Sequence, residues 1–287
     1  MSNFVTKNQP LRIAVLDMNN GYKNQGIGCI YNILAESCEN WARHYGQRLN
    51  PTIEHFRVRD FGEVPSPRFD IYISSGGPGS PYDGEGKQWE KDYCHLLNNV
   101  IEHNLHQSRK VFFFAICHSL QVLARCFNLA EVVDAPRPIY GIMPVYPTPA
   151  GRSSYLLEDL NDRFFAFERR NYQVVEPDET ALSPINGRVL AIESRDGLRG
   201  KAIMALSIGD EFQATQFHPE ADRDSMLRNF LDPEKRDDIL ALNGEALYNK
   251  MLASLYAEDR VKRTRAVVLP KFLMRAYQHL TGLANNN

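Results

Sequence analysis

Apolar and polar positions fall into two rhythms along this chain. Residues 12–17 form a short, nearly continuous apolar run that predicts a buried strand. Residues 26–45 repeat apolar side chains at helical spacing, through Ile30, Ile33, Leu34, Cys38 and Trp41. Residues 53–58 alternate like a strand. Residues 69–74 read as another, ending in the turn-rich Ser75-Gly76-Gly77-Pro78-Gly79-Ser80-Pro81. A helix is predicted over 88–104, with Trp89, Tyr93, Leu96, Leu97 and Val100 on one face. An aromatic buried strand over 110–115 and a helix over 119–127 follow. Strand, helix, strand in this order implies a parallel sheet covered on both faces. The second rhythm begins near residue 131. Strand-like pieces at 131–135, 142–146, 171–176, 188–194, 201–207 and 211–217, separated by Pro- and Gly-containing turns, predict an antiparallel section. Beyond Pro219 the pattern is helical, and Leu240, Leu247, Met251 and Leu255 step at three- to four-residue spacing. A mixed-charge link at 258–263 leads to a last helix near 270–280, with Pro270 expected in its first turn. The expected fold is α/β: a doubly wound, mostly parallel central sheet with flanking helices, antiparallel strands in the second half and a C-terminal helical extension. The expected division is one domain over 1–232 and the extension over 233–287.

Composition narrows the function classes. Among 287 residues, 33 Lys and Arg face 35 Asp and Glu, a net charge of -2, which offers no electrostatic case for nucleic acid or an anionic membrane. The longest apolar run, 111–117, is far too short to span a bilayer, and the first residues lack the apolar core of a signal peptide. Five cysteines, an odd count with no Cys-x-x-Cys, argue against a disulfide framework or a zinc knuckle, and a cytoplasmic location is expected. His95, His103 and His106 lie near a helix end without carboxylates at useful spacing, so no metal and no organic cofactor is expected.

Three segments carry candidate chemistry. In Val111-Phe-Phe-Phe-Ala-Ile-Cys117-His118-Ser119-Leu120-Gln121 a buried strand runs straight into a helix with a cysteine at the joint. A sharp strand-to-helix turn pushes such a side chain out at the carboxyl edge of the sheet, beside free helix N–H groups that favour a thiolate. A small buried apolar role explains a lone cysteine equally well. In Gln216-Phe217-His218-Pro219-Glu220 a strand ends on a histidine, with a carboxylate two residues on. That is a base and its orienting acceptor, or a surface capping turn. The Gly76-Gly77-Pro78-Gly79 turn can offer free N–H groups to an oxyanion, and it is not a Walker loop. Trp41 and Trp89 fit the core. Asp17 with the Asn19-Asn20-Gly21 turn ends the first strand at the same edge, where a pocket wall or a plain turn fits.

Taken together and in this order, the three segments resemble class I glutamine amidotransferases, over roughly residues 11–232. The likeness is to a stand-alone member akin to the glutaminase domain of GMP synthase. The resemblance implies the doubly wound fold and a triad that hydrolyses the side-chain amide of glutamine: Cys117 as nucleophile, His218 as base, Glu220 as orienter. It implies an oxyanion hole from the N–H groups of Gly77 and His118, and substrate contacts at Gln121 and along Asn171, Tyr172 and Gln173. The chain departs from the family at the elbow, usually Gly-x-Cys-x-Gly, where Ala115 and Ser119 stand and some crowding is expected. His118 is open to two readings, a second imidazole beside the sulfur or a solvent-facing side chain. The substrate segment, Arg170-Asn171-Tyr172-Gln173, is bulkier and more basic than the usual Ser-His-x-Asp or Asn-His-Gly.

About 55 helical residues after 232 leave no room for an ATP-dependent acceptor site. The expected partner is glutamine or a γ-glutamyl small molecule, and the chain either delivers ammonia to a separate synthase subunit or acts alone as a hydrolase. The alternatives are a stand-alone γ-glutamyl peptidase and a catalytically silent binding module on the same fold. The C-terminal apolar stripes are expected to pack on their own core, with a homodimer contact as the alternative.

Overall fold

The computed structural model describes residues 11–23, 25–194, 200–256 and 260–283. Strand β1 (Arg12–Asp17) leads to helix α1 (Gln25–Tyr45) and β2 (Thr52–Arg57). A single turn, α2 (Val58–Phe61), then precedes β3 (Ile71–Ser74). Helix α3 (Gln88–His106), β4 (Phe112–Ile116) and α4 (His118–Cys126) complete the first half. Two long strands follow, β5 (Ala130–Pro147) and β6 (Phe164–Pro177), joined through α5 (Pro149–Arg152). After α6 (Glu179–Leu182) come β7 (Gly187–Ile192), β8 (Ile203–Ile208) and β9 (Phe212–Thr215). The chain ends in α7 (Arg223–Leu231), α8 (Pro233–Tyr256) and α9 (Arg260–Thr281).

Among the described residues the strands form one sheet in the order β2-β1-β3-β4-β9-β8-β7-β5-β6. The strands from β2 to β9 run parallel and the rest are antiparallel, so the expected fold class holds. The alternation of β4 explains its aromatic run. Phe113 stacks between Tyr72 and Phe212 on one face, with centroids 5.6 and 4.5 Å away. Phe112 and Phe114 point to the other face and meet Phe272 of α9. Full burial on both faces is what a parallel strand between helical layers requires.

Several expectations are corrected. The pieces at 131–135 and 142–146 are one strand, β5, whose register shifts between Asp134 and Ile139. The piece at 171–176 begins earlier, at Phe164. Helix α9 starts at Arg260, which takes residues 260–263 of the presumed link into the helix and places Pro270 in the interior; residues 257–259 lie outside the described residues. An interior proline costs about 3 kcal/mol. Here Val268, Leu269, Phe272, Leu273, Ala276 and Tyr277 offset it by burying completely in the cluster shared with α1 and the sheet. The helices therefore pack on their own chain. Helices α7 and α8 do so through Phe230, Tyr248 and Met251 against Tyr140 of β5, and Gly141 leaves room for the Met251 thioether.

The cysteine reading is also corrected. Cys94 of α3 and Cys126 of α4 are joined, their Cα atoms 5.8 Å apart, while Cys29, Cys38 and Cys117 are free. The pairing follows from two helices lying side by side on one sheet face, which a spacing of 32 residues does not disclose. It removes the cysteine count as an argument for the compartment. No helix among the described residues is long and apolar enough to cross a membrane.

Candidate active site

Cys117 stands between β4 and α4 with φ 50° and ψ -102°, a conformation that a residue with a Cβ adopts at a cost of about 1–3 kcal/mol. The strain is held by neighbours. The Cys117 N–H donates to the Thr215 carbonyl at 2.6 Å, and the Gln121 N–H to the Cys117 carbonyl at 3.2 Å. Ser119, where the family has glycine, does not crowd the elbow. Its hydroxyl donates to the Ser75 carbonyl at 2.7 Å and lies 2.8 Å from the Ser74 hydroxyl, which in turn accepts from Tyr93. The Ser119 hydroxyl stitches α4 to the end of β3.

His218 follows β9 and is fixed by its backbone N–H, which donates to the Phe167 carbonyl of β6 at 2.8 Å. Its Nδ1 lies 2.8 Å from Glu220 Oε1, and Glu220 is buried. Burial alone would push the imidazole down, yet the Glu220 carboxylate and the Cys117 sulfur hold it well above its usual range. Gly76 marks where sulfur and imidazole meet. A Cβ built there would lie 2.7 Å from His218 Cε1 and 3.4 Å from Cys117 Cβ. Only glycine leaves the imidazole that space. Gly77 is equally constrained, because a Cβ on it would overlap the Met18 carbonyl. The N–H groups of Gly77 and His118 find no acceptor among the described residues.

Strand β6 closes the other side. The Arg169 carbonyl is 3.7 Å from Cys117 Sγ. Gln121 Nε2 donates to the Tyr172 carbonyl at 3.2 Å and to Gln216 Oε1 at 3.3 Å, and Gln216 Nε2 lies 3.4 Å from the sulfur. Asn171 is exposed and Tyr172 half-buried, with its ring 6.5 Å from Tyr82. The Gln173 side chain is turned to the interior, where it accepts from Arg170. The basic character expected of this segment is internally cancelled: Arg170 binds Glu168 at 2.8 Å and Glu193 at 2.9 Å below the strand. Burial holds the Glu168 carboxyl above its usual range even beside that guanidinium.

His118 does not face solvent. Its imidazole is buried, both ring nitrogens lack a partner among the described residues, and burial together with Arg59 and Arg125 drives it down to about 3. It is a buried, neutral ring. Asp17, Asn19 and Gly21 line a shallow cavity of about 330 Å³ with His55 and Arg57, as a pocket wall at the strand ends. Three residues of the site went unread in the sequence: Gly76, Gln216 and Arg59. The first two sit inside the motifs already singled out, so a signal was there. Arg59 lies in an undistinguished turn.

Residues 34–233, more than two thirds of the chain, match the family of class-I glutamine amidotransferases. The chain belongs to that family. No curated protein matches its sequence. Solved structures share the fold at low identity. A glutamine amidotransferase from Thermotoga maritima superposes with a TM-score of 0.64 at 15% identity, over 93% of this chain and 98% of that one. A protein from Thermoplasma acidophilum, described as a GMP synthase subunit, gives 0.50 at 19% identity, over 75% and 86%. The glutaminase domain of a Trypanosoma brucei CTPS with bound acivicin gives 0.51 at 16%, over 87% and 95%.

Proposed function

We propose that the chain hydrolyses the side-chain amide of glutamine, or a closely related γ-glutamyl amide, through a Cys117–His218–Glu220 triad. One observation carries the reading: a strained cysteine at a strand-to-helix joint faces a histidine paired with the buried Glu220, across a glycine that cannot carry a side chain. With Nδ1 committed to Glu220, Nε2 is the nitrogen left for the sulfur. The thiol proton passes to His218 as sulfur attacks the γ-carbonyl. The Gly77 and His118 N–H groups receive the oxyanion, and His218 returns its proton to the leaving ammonia. Water, deprotonated by His218, then clears the γ-glutamyl thioester as glutamate. Gln121 and the backbone of Asn171, Tyr172 and Gln173 form the substrate wall.

The ammonia passes to a separate synthase chain. That reading is supported by the structural likeness to a protein described as part of a GMP synthase. Residues 233–287 serve as an extension folded onto the catalytic core rather than as a second catalytic unit. The test is direct. The pure protein is incubated with glutamine and a panel of γ-glutamyl peptides, and ammonia, released amino acid and glutamate are measured. Ammonia from glutamine that disappears in Cys117→Ser supports the reading. Turnover of peptides alone assigns a γ-glutamyl peptidase, and inertness toward all of them a silent module.

A further inference from the structure

The glycine turn does not hold itself. Beneath it lies Arg59, supplied by the one-turn helix α2, with only 2% of its side chain exposed. Its Nη1 donates to two carbonyls, Met18 at 3.0 Å and Pro78 at 2.6 Å. Its Nη2 lies 3.5 Å from Asp83, whose carboxylate also accepts the Ser80 N–H at 2.9 Å. The guanidinium rests 5.7 Å from the Trp89 ring, and its Nε has no partner among the described residues.

This is a poor way to stabilise a fold. A buried cation paired only loosely, with the half-exposed Asp83 at 3.5 Å, and left with an unmet Nε donor is costly, and well-packed apolar replacements of such groups are often neutral or stabilising. What the guanidinium does accomplish is geometric. Met18 directly follows β1 and is the residue whose carbonyl a Cβ on Gly77 would strike; Pro78 is the residue that follows Gly77. One nitrogen grips both carbonyls and so fixes the backbone on either side of Gly77. Built Cβ atoms on Gly77 and Gly79 would come within 3.1 and 3.4 Å of this same guanidinium, so turn and cation fit without slack.

We propose that Arg59 is a positioning residue that sets the direction of the Gly77 N–H toward the oxyanion. This rests on the hydrolytic reading above. A planar fork that binds two carbonyls while lying against an aromatic ring is a property of arginine that lysine lacks.

The test uses Arg59→Met, Arg59→Lys and Arg59→Ala in the full chain. Arg59→Met should lower kcat about 10- to 100-fold, with KM within about twofold of wild type, because the interaction lost is one made in the transition state. The rate at which iodoacetamide alkylates Cys117, which needs the sulfur but no oxyanion hole, should not change. Arg59→Lys should recover only part of kcat, and millimolar guanidinium should restore part of it to Arg59→Ala. Unchanged kcat in folded Arg59→Met overturns the proposal. So does a loss of kcat that only follows the folded fraction and that neither lysine nor guanidinium relieves. Should Arg59→Met fail to fold, Arg59→Lys is judged by the same kcat and KM criteria. If wild type hydrolyses no γ-glutamyl compound, the functional reading falls, and amide exchange across residues 76–83 then decides on Arg59. Faster exchange confined to that segment in Arg59→Lys supports its positioning role, and unchanged exchange refutes it.

Discussion

The two halves of the sheet serve the site by different means. The parallel half delivers side chains. Cys117 leaves the end of β4, and His218 and Glu220 follow the end of the neighbouring β9. The antiparallel half delivers main chain. The Phe167, Arg169 and Tyr172 carbonyls of β6 meet the His218 N–H, the Cys117 sulfur and Gln121 in turn. Parallel strands all end at one edge, where chain reversals can gather reactive groups from distant parts of the sequence. A long antiparallel strand lies alongside that edge and offers evenly spaced backbone groups. On the proposed mechanism the reacting side chains come from the parallel half, while the antiparallel half contributes backbone carbonyls.

The comparison breaks first at the sulfur. Cys117→Ser should lower turnover of the active γ-glutamyl substrate by about 10⁴-fold or more, since a serine hydroxyl at neutral pH is a far weaker nucleophile. Melting should stay near that of wild type. Iodoacetamide should label Cys117 ahead of the other free cysteines. Burial and the Asp222 carboxylate push the Cys29 thiol up to about 12, and burial raises Cys38 as well. Full activity in Cys117→Ser, or equal labelling of all three, removes the parallel half's claim to the chemistry.

Next comes the relay within that half. His218→Ala should cost about 10³-fold or more in kcat, and Glu220→Gln about one to two orders less, because one group moves the proton and the other orients it. If His118→Ala proved the more damaging histidine change, the base would be misassigned. The burial of His118, with no carboxylate hydrogen-bonded to its ring, speaks against that.

How much of this was legible follows the same division. Apolar periodicity fixed the parallel half because β1, β3, β4 and β9 are buried on both faces, the edge strand β2 alternates, and each long helix shows a clear stripe. The strand-Cys-helix and Phe-His-Pro-Glu segments are local and contiguous, so the candidate triad could be read from them. What escaped depends on contacts between distant segments. Arg59 touches Met18 and Pro78, 41 and 19 residues away, and no pattern near position 59 announces either. Cys94 and Cys126 meet only through the packing of α3 on α4. The β5 shift between Asp134 and Ile139 made one strand look like two. Pro270 misled for a related reason: tertiary burial of α9 overrode a local helix-start signal.

In the antiparallel half the sharpest probe is the ion cluster under β6. Arg170→Met leaves Glu168 buried without its cation, and removing one partner of such a pair costs about 3–5 kcal/mol. Pairing it with Glu168→Gln should recover much of that loss. Denaturant melts of both variants measure the difference. kcat of the folded fraction should change little, because β6 contributes backbone. A large fall in kcat with little loss of stability would show that the antiparallel half takes a direct part in the chemistry.

The smallest effect sharpens the boundary between the halves, at the buried imidazole of His118. His118 has a folded pKa of about 3 against an ordinary 6.5. The unfolded chain therefore binds a proton at this residue below about pH 6.5, while the folded chain does not. The sign follows: the stabilising contribution is complete above 6.5 and is lost as pH falls from there toward 3. The loss approaches about 1.4 kcal/mol per pH unit, or roughly 1.5 kcal/mol between pH 6.5 and pH 5. His118→Leu removes the titrating group but keeps the backbone N–H, so its stability should fall less steeply over that window. Near neutral pH the variant should melt close to wild type and keep most of its turnover, since the ring touches neither the sulfur nor Glu220. Chemical denaturation of both proteins at half-unit steps from pH 7 to pH 5 gives the two slopes. Equal slopes would mean that the imidazole is hydrated or paired in solution rather than dry and neutral.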